Sequence, residues 1–266
     1  MQSIVFLMYH ELEVPGRPLC QSEPGYRRYV VTASDFRGQM RCIKEIGAQG
    51  VSVGEALTFS GQPSVCLTFD DGCETDLLVA VPVLSELGFK ATFYVTAGFV
   101  GRPGHLCAVQ LRELGSKGFE IGCHSLTHPY LPDLDNPGIQ REVGESKAKL
   151  EQILGRPIHH FSCPGGRYDQ RVIEIVREAG YQTLATSRTH ANSASTDRLQ
   201  LGRVPVLRGT GLPIFRNICR GQGLTRMRLM DLTRTAARRV IGNSGYDSLR
   251  GFLLRRGKGS NPSSNL

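Results

Sequence analysis

Three short stretches of this chain hold residue types able to do chemistry together. The first is Thr68-Phe69-Asp70-Asp71-Gly72. Neighbours in a continuing strand face opposite sides, so two acids serve one site only where the backbone turns, which Gly72 permits. One carboxylate then binds a cation while the other stays free as a base. The bland reading is an Asp-Gly turn that ends a strand. The second stretch is His124-Ser125-Leu126-Thr127-His128. On a first helical turn, histidines at i and i+4 share one side with Cβ atoms about 5–6 Å apart, a spacing that suits two imidazoles on one ion. Its alternative is a surface coincidence. With one aspartate the pair makes three protein ligands and leaves an open position, as catalytic zinc-type sites do. The third runs from Phe161 to Asp169 through Ser162-Cys163-Pro164-Gly165-Gly166-Arg167-Tyr168. It reads as a Pro-Gly turn between strand and helix. Such a loop can form a groove wall and offer backbone N–H groups to a developing oxyanion.

The elements that must position these residues alternate along the chain. Apolar runs at Ile4–Tyr9, Val65–Phe69, Ala91–Val95, Phe119–Cys123, Ile158–Ser162 and Gln182–Ala185 read as strands. Helical patterns span Thr32–Ala48, opened by Thr32 and Asp35, then Thr75–Leu87, Leu106–Lys117, Ile139–Leu154 and Gln170–Ala179. Pro82 kinks the second of these or delays its start. Val204–Leu207 is an edge-like strand because of Pro205. Repeated βα units imply a parallel sheet with helices outside, either a barrel or a doubly wound sheet. In a barrel, chemistry gathers at the strand C-termini. His10, Asp70, Asp71, His124 and Pro164 all follow strands or sit near their ends.

Composition sets the outer limits. At 266 residues the chain suits one large α/β domain with an appendage. Residues 220–258 carry ten Lys or Arg and two acids, a surplus of eight that equals the net charge of the whole chain. We therefore divide the chain into a barrel at residues 1–215 and a basic helical extension at 216–266. In that extension Thr225–Ile241 patterns as an amphipathic helix, and the Gly/Ser/Asn/Pro-rich end after Gly257 reads as disordered. A basic amphipathic helix fits an acidic membrane surface; nucleic acid is not expected, since no recognised motif accompanies it. The eight cysteines contain no C-x-x-C pair, and several lie in apolar runs, so reduced thiols and a cytoplasmic chain are expected. Gln2–Tyr9 has neither the positive start nor the cleavage site of a signal peptide, and no run approaches a membrane-spanning length.

The three chemical stretches, in this order and spacing, resemble the polysaccharide deacetylases of carbohydrate esterase family four, the NodB-homology domain. T-F-D-D-G is matched in full at Thr68–Gly72, and H-[ST]-x-x-H at His124, Ser125 and His128. The resemblance covers about residues 1–210. It implies a distorted (β/α) barrel of about seven strands, with Asp70 as general base and Asp71, His124 and His128 holding a divalent ion, zinc by expectation. Two departures stand out. The family's third motif carries an arginine two residues before its proline, where this chain has Ser162; Arg203 is a candidate to do that work at Asp70. The family's late L-x-x-H is missing, while Leu7-Met8-Tyr9-His10 fits it at the other terminus. First and last strands of a barrel are neighbours, so this chain looks like the circularly permuted branch that includes poly-N-acetylglucosamine deacetylases. His10 is then the acid, with His190 its rival.

The resemblance implies removal of N-acetyl (or O-acetyl) groups from amino sugars of a polysaccharide or glycan precursor. Pro164, Gly165, Tyr168 and Arg203 would line the substrate site. Two alternatives are a catalytically impaired glycan-binding protein, suggested by the missing arginine, and a metal-dependent amidohydrolase acting on a non-sugar N-acyl substrate. A peripheral place at the inner face of the membrane suits the basic extension.

Overall fold

The structure, a computed structural model, describes residues 3–229 except Ser22 and residues 59–60. The expected basic helix and tail beyond Leu229 lie outside the described residues. The strands are β1 (Val5–Tyr9), β2 (Leu12–Glu13), β3 (Val31–Thr32), β4 (Gln49–Val51), β5 (Ser64–Phe69), β6 (Thr92–Val95), β7 (Glu120–Cys123), β8 (His160–Ser162), β9 (Thr183–Ala185) and β10 (Val204–Pro205). The α-helices are α1 (Pro24–Arg27), α2 (Ala33–Glu45), α3 (Val53–Thr58), α4 (Val81–Leu87), α5 (Ala108–Ser116), α6 (Asn136–Leu154), α7 (Gln170–Glu178) and α8 (Leu212–Cys219).

Seven strands follow one another in the parallel order β10-β1-β5-β6-β7-β8-β9, and β4 joins as an eighth by pairing with the start of β5. The sheet curls until its ends meet. The segment leading into β10 pairs with β9 at Ala185–Leu201, and Val204 then pairs with Leu7 of β1. The α/β barrel of the expected strand number is thus present, with the first and last strands side by side.

Strand side chains alternate between two cores. Val5, Leu7 and Tyr9 of β1, Val65, Leu67 and Phe69 of β5, and Phe93 of β6 pack outward under the helices. Tyr9 stacks on Phe69, and Phe69 on Phe93, with centroids 5.3 and 4.7 Å apart. Ile4, Phe6, Cys66, Tyr94, Ala185 and Leu201 form the separate interior cluster. Period two therefore splits each buried strand between interior and exterior, as barrel closure requires. Tyr94 fills so much of the interior that a Cβ at Gly122 would lie 2.4 Å from its ring. That position admits glycine alone.

Capping follows local rules. Thr32 accepts from the Asp35 N–H at 3.0 Å to start α2, and Asp135 does the same for α6. Between β5 and α4 the chain makes a π-helical turn, Asp76–Ala80, and Pro82 falls within the first two positions of α4. The chain is already helical there, and the widened turn accommodates a residue that has no N–H to donate. Helix α8 crosses the boundary expected at residue 215, and Phe215, Ile218 and Cys219 join the outer core.

The floor of the barrel is polar. Glu120 lies 3.2 Å from His160 Nε2, and its carboxylate accepts from Thr92 and from the Gly54 N–H at 3.1 and 3.2 Å. Burial pushes the Glu120 carboxyl upward, but His160 and the other donors hold it below its ordinary value. A depressed folded-state pKa adds stability that is complete above the unfolded value of about 4.3 and fades as pH falls through the folded one. Glu120→Gln is expected to cost about 1.5–3 kcal/mol near neutrality, the range for hydrogen bonds to charged groups. Melting curves of variant and parent should converge in acid; a gap independent of pH would refute the assignment.

Candidate active site

The interior rows of the strands continue into the site. His10 follows Phe6 and Met8 by twos, Asp70 follows Cys66 and Thr68, His124 follows Gly122, and Ser162 follows His160. All four therefore emerge at the C-terminal mouth of the barrel, where adjacent strands bring them together.

Asp70 is fixed from below. Arg203, fully buried, donates through Nη1 to Asp70 Oδ1 at 2.7 Å and through Nη2 to Oδ2 at 2.8 Å. Its remaining donors are spent on Ser162 Oγ (2.7 Å), Thr68 Oγ1 (3.2 Å) and the Thr186 carbonyl (3.0 Å). Ser162 thus stands where the family's arginine would, and a guanidinium reaches the carboxylate from the residue just before β10 instead. Burial raises the Asp70 pKa, yet Arg203 and His124 outweigh it and leave the carboxyl below its usual range. Asp70 is ionised in the folded protein.

Asp71 points elsewhere because the backbone reverses there. Its φ is 83° and that of Gly72 is 75°. Asp71 Oδ1 lies 3.6 Å from His124 Nε2 and 3.4 Å from His128 Nε2, is buried, and makes no hydrogen bond. Burial alone would raise this carboxyl, but the imidazoles of His128, His10 and His124 hold it low.

The two histidines do not sit on a helix, contrary to the sequence expectation. Residues 124–128 form an irregular turn after β7, with Ser125 at φ 66° and His128 at φ 67°. A left-handed turn carries His128 back toward His124, with ring centroids 5.0 Å apart. Among the described residues, the non-glycine positions with positive φ are Asp71, Ser125 and His128. Such conformations cost free energy and persist where surrounding bonds over-determine them. Here Ser125 Oγ accepts from the His128 N–H at 3.0 Å. The buried Glu142 of α6 accepts from the Leu126 and Thr127 N–H groups at 2.9 and 2.8 Å. Sequence reading passed over Glu142. Its signal was present, since it falls in the buried helical row of Ile139, Val143 and Ser146.

One ligand atom from each of Asp71, His124 and His128 lies within 4.8 Å of the other two. His124 Nδ1 contacts the Ser162 carbonyl at 2.9 Å, which makes it the protonated nitrogen and leaves a lone pair on Nε2. Burial lowers the His124 pKa to about 4, so the ring is neutral. An unpartnered buried carboxylate oxygen, a neutral imidazole with a fixed tautomer and a second imidazole fit a divalent cation.

His10 lies within the field of both carboxylates. Burial lowers its pKa, while Asp71 and Asp70 oppose the shift, and its Nδ1 is buried without a hydrogen bond. Its ring packs on Tyr29 at 4.9 Å. His190 instead lies against Gly202, with Nδ1 3.2 Å from the Ala191 carbonyl oxygen. Pro164 is buried, and Gly165 (φ 61°) sits where a Cβ would strike the Tyr130 ring. The Tyr168 hydroxyl donates to Gln200 at 3.3 Å and its ring carries Arg188, so this side chain is engaged by the segment after β9.

At the mouth of a parallel α/β barrel, one carboxylate and two imidazoles, with a second carboxylate beside them, make a donor set that could hold a divalent ion. The polysaccharide deacetylase family model matches residues 60–184. YxkH of Bacillus subtilis (strain 168) is 30% identical over 185 residues, which cover 67% of this chain and 66% of that protein. The peptidoglycan-N-acetylglucosamine deacetylase of Bacillus cereus is 30% identical over 124 residues, 46% of this chain and 56% of its own. Among solved structures, the Streptococcus pyogenes deacetylase PplD in complex with acetate superposes with a TM-score of 0.70 at 26% identity, covering 80% of this chain and 96% of that one. The chain belongs to the polysaccharide deacetylase family. It spans 66% and 56% of the length of these two curated relatives.

Proposed function

We propose that the chain hydrolyses the acetamide of N-acetylated amino sugars in a polysaccharide or glycan precursor. A divalent cation, zinc by its mixed imidazole and carboxylate donors, would be held by Asp71, His124 and His128. The observation that carries this reading is the division of labour between adjacent acids: Asp71 faces two histidines, and Asp70 is locked on Arg203. The relative named above as a peptidoglycan-N-acetylglucosamine deacetylase supports the substrate class. The missing arginine and the displaced histidine motivate a non-catalytic glycan-binding reading; the contact of Arg203 with Asp70 speaks against it, and acetate release decides it.

A cation held by Asp71, His124 and His128 would supply Lewis acidity to the acetyl carbonyl and to the attacking water. Asp70 accepts the proton of that water, its two oxygens oriented by the guanidinium. His10 donates to the departing nitrogen as the carbon–nitrogen bond breaks, because an amide nitrogen leaves poorly without a proton. Asp71 and Asp70 favour the protonated ring that this step needs, against the burial that opposes it. Acetate and a free amino sugar result. The test is acetate release from defined N-acetylated oligosaccharides, abolished by chelation and restored by zinc. No release from any of them by metal-loaded protein would sink the proposal.

His10→Ala is expected to lower kcat by about 10²–10⁴-fold, the span of positioned acids and bases, with zinc content unchanged. His190→Ala should stay close to the parent. The reverse pattern would move the acid role to His190.

No helix among the described residues is long and apolar enough to cross a membrane. We place the protein at the cytoplasmic face of an acidic membrane, with the basic extension as its contact. A truncation ending at Gly221 should no longer sediment with anionic vesicles; unchanged sedimentation would remove that contact.

A further inference from the structure

A second group of donor atoms lies two residues along the chain from Asp71. One ligand atom from each of Cys20, Cys73 and His105 lies within 4.8 Å of the others. The three come from separate places: the loop after β2, the turn after β5, and the turn between β6 and α5. We propose that Cys20, Cys73 and His105 form a sulfur-rich zinc site, distinct from the cation site of Asp71, His124 and His128.

The arrangement is built from the backbone up. Cys73 and His105 are held side by side by an antiparallel bridge, with Glu74 N–H on the Gly104 carbonyl at 2.8 Å and Leu106 N–H on the Gly72 carbonyl at 2.9 Å. Gly104, at φ +82°, leaves room for the third ligand, since a Cβ there would lie 2.8 Å from Cys20 Sγ. The buried Glu11 carboxylate accepts from the Cys20 N–H at 3.0 and 3.2 Å and from the Tyr26 hydroxyl at 2.9 Å. Cys20 Sγ then stands 3.6 Å from Cys73 Sγ and 3.2 Å from the Gly104 carbonyl oxygen, while the Tyr26 hydroxyl is 3.6 Å from Cys73 Sγ.

The imidazole decides between a metal and a disulfide. His105 is 9% exposed, and its Nδ1 lies 3.2 Å from the Pro103 carbonyl oxygen, a bond that puts the proton on Nδ1 and the lone pair on Nε2. Its Nε2 is buried and has no hydrogen-bond partner. A disulfide between the two cysteines would leave that nitrogen an orphan, at a cost buried polar groups rarely bear. An ion shared by all three satisfies it. Two thiolates and an imidazole select a borderline-soft ion such as zinc over magnesium, calcium or manganese. Binding releases the two thiol protons to solvent. Three ligands from three loops would tie the turn that carries Asp71 to its neighbours.

Cobalt(II) distinguishes this site from the other, because only thiolate ligands give an intense sulfur-to-metal charge-transfer absorption. Full-length protein, stripped of metal under reducing conditions and titrated with cobalt(II), is expected to show that band and to lose it on adding zinc. Asp71→Asn should keep the band. Cys20→Ser and Cys73→Ser should each weaken it, and the double variant should abolish it. His105→Ala should move its wavelength or weaken cobalt binding. Folded parent protein with no thiolate band would overturn the site, as would a band that survives in the double serine variant. A Cys20–Cys73 disulfide in protein isolated with its native metal content would overturn it too.

Discussion

Asp70→Asn is expected to lower the rate of acetate release by about 10³-fold, within the 10²–10⁴ range typical of a positioned general base, while zinc content stays at the parent's level. The two halves separate because the geometry separates them. Asp71, His124 and His128 supply the cation donors, and Asp70 is the carboxylate bound to Arg203 instead. An asparagine keeps the shape and one acceptor for the guanidinium but cannot take a proton from water. Metal analysis and turnover on the same folded preparation check both halves. Loss of zinc together with activity would make Asp70 a ligand and transfer the base role elsewhere.

Arg203→Met carries the largest expected effect on stability, about 3–5 kcal/mol, as removing one partner of a buried ion pair leaves the other charge uncompensated. Both partners are almost wholly enclosed, and Arg203 also satisfies Ser162, Thr68 and the Thr186 carbonyl. The double variant Arg203→Met with Asp70→Asn should be more stable than the sum of the two single losses predicts, because neither charge is then stranded. Arg203→Lys should fold better than Arg203→Met yet remain slow in turnover, since an ammonium cannot bind both carboxylate oxygens in parallel. Denaturant melts of the four proteins close the cycle. Simple additivity would mean that the guanidinium serves packing alone.

Substrate enters this picture through the mouth of the barrel. The loop from Pro164 to Tyr168 borders that mouth by its position after β8, yet its aromatic side chain is turned to Gln200. Tyr29, packed on His10, is the aromatic ring that the structure brings to the acid candidate.

Much of this was legible from residues alone. Runs such as Val65–Phe69 and Ala91–Val95 announce buried strands, because a strand enclosed on both faces needs apolar side chains at every step. The acids and histidines after those runs announce a site, since parallel strands in a barrel end on one face. Local rules also placed the helices within a few residues: Thr32 caps α2, and the apolar row of α6 is plain. Pro82 predicts a disturbed helix, and the disturbance is the π-turn Asp76–Ala80 that runs directly into α4.

Other features depend on how the sheet curls, which no local pattern encodes. The residues of Thr68–Gly72 and His124–His128 name the donors, but the left-handed φ of Asp71, Ser125 and His128, not a helical turn, is what aims them. Ser162 marks an arginine as missing; only closure of the last strand against the first brings Arg203 to Asp70. Glu142, and the meeting of Cys20 with Cys73 and His105, are likewise products of packing between segments far apart in the chain. Side-chain type and spacing determined which chemistry was available. Tertiary structure decided which groups share it, because convergence is set by strand register and turn handedness rather than by distance along the chain.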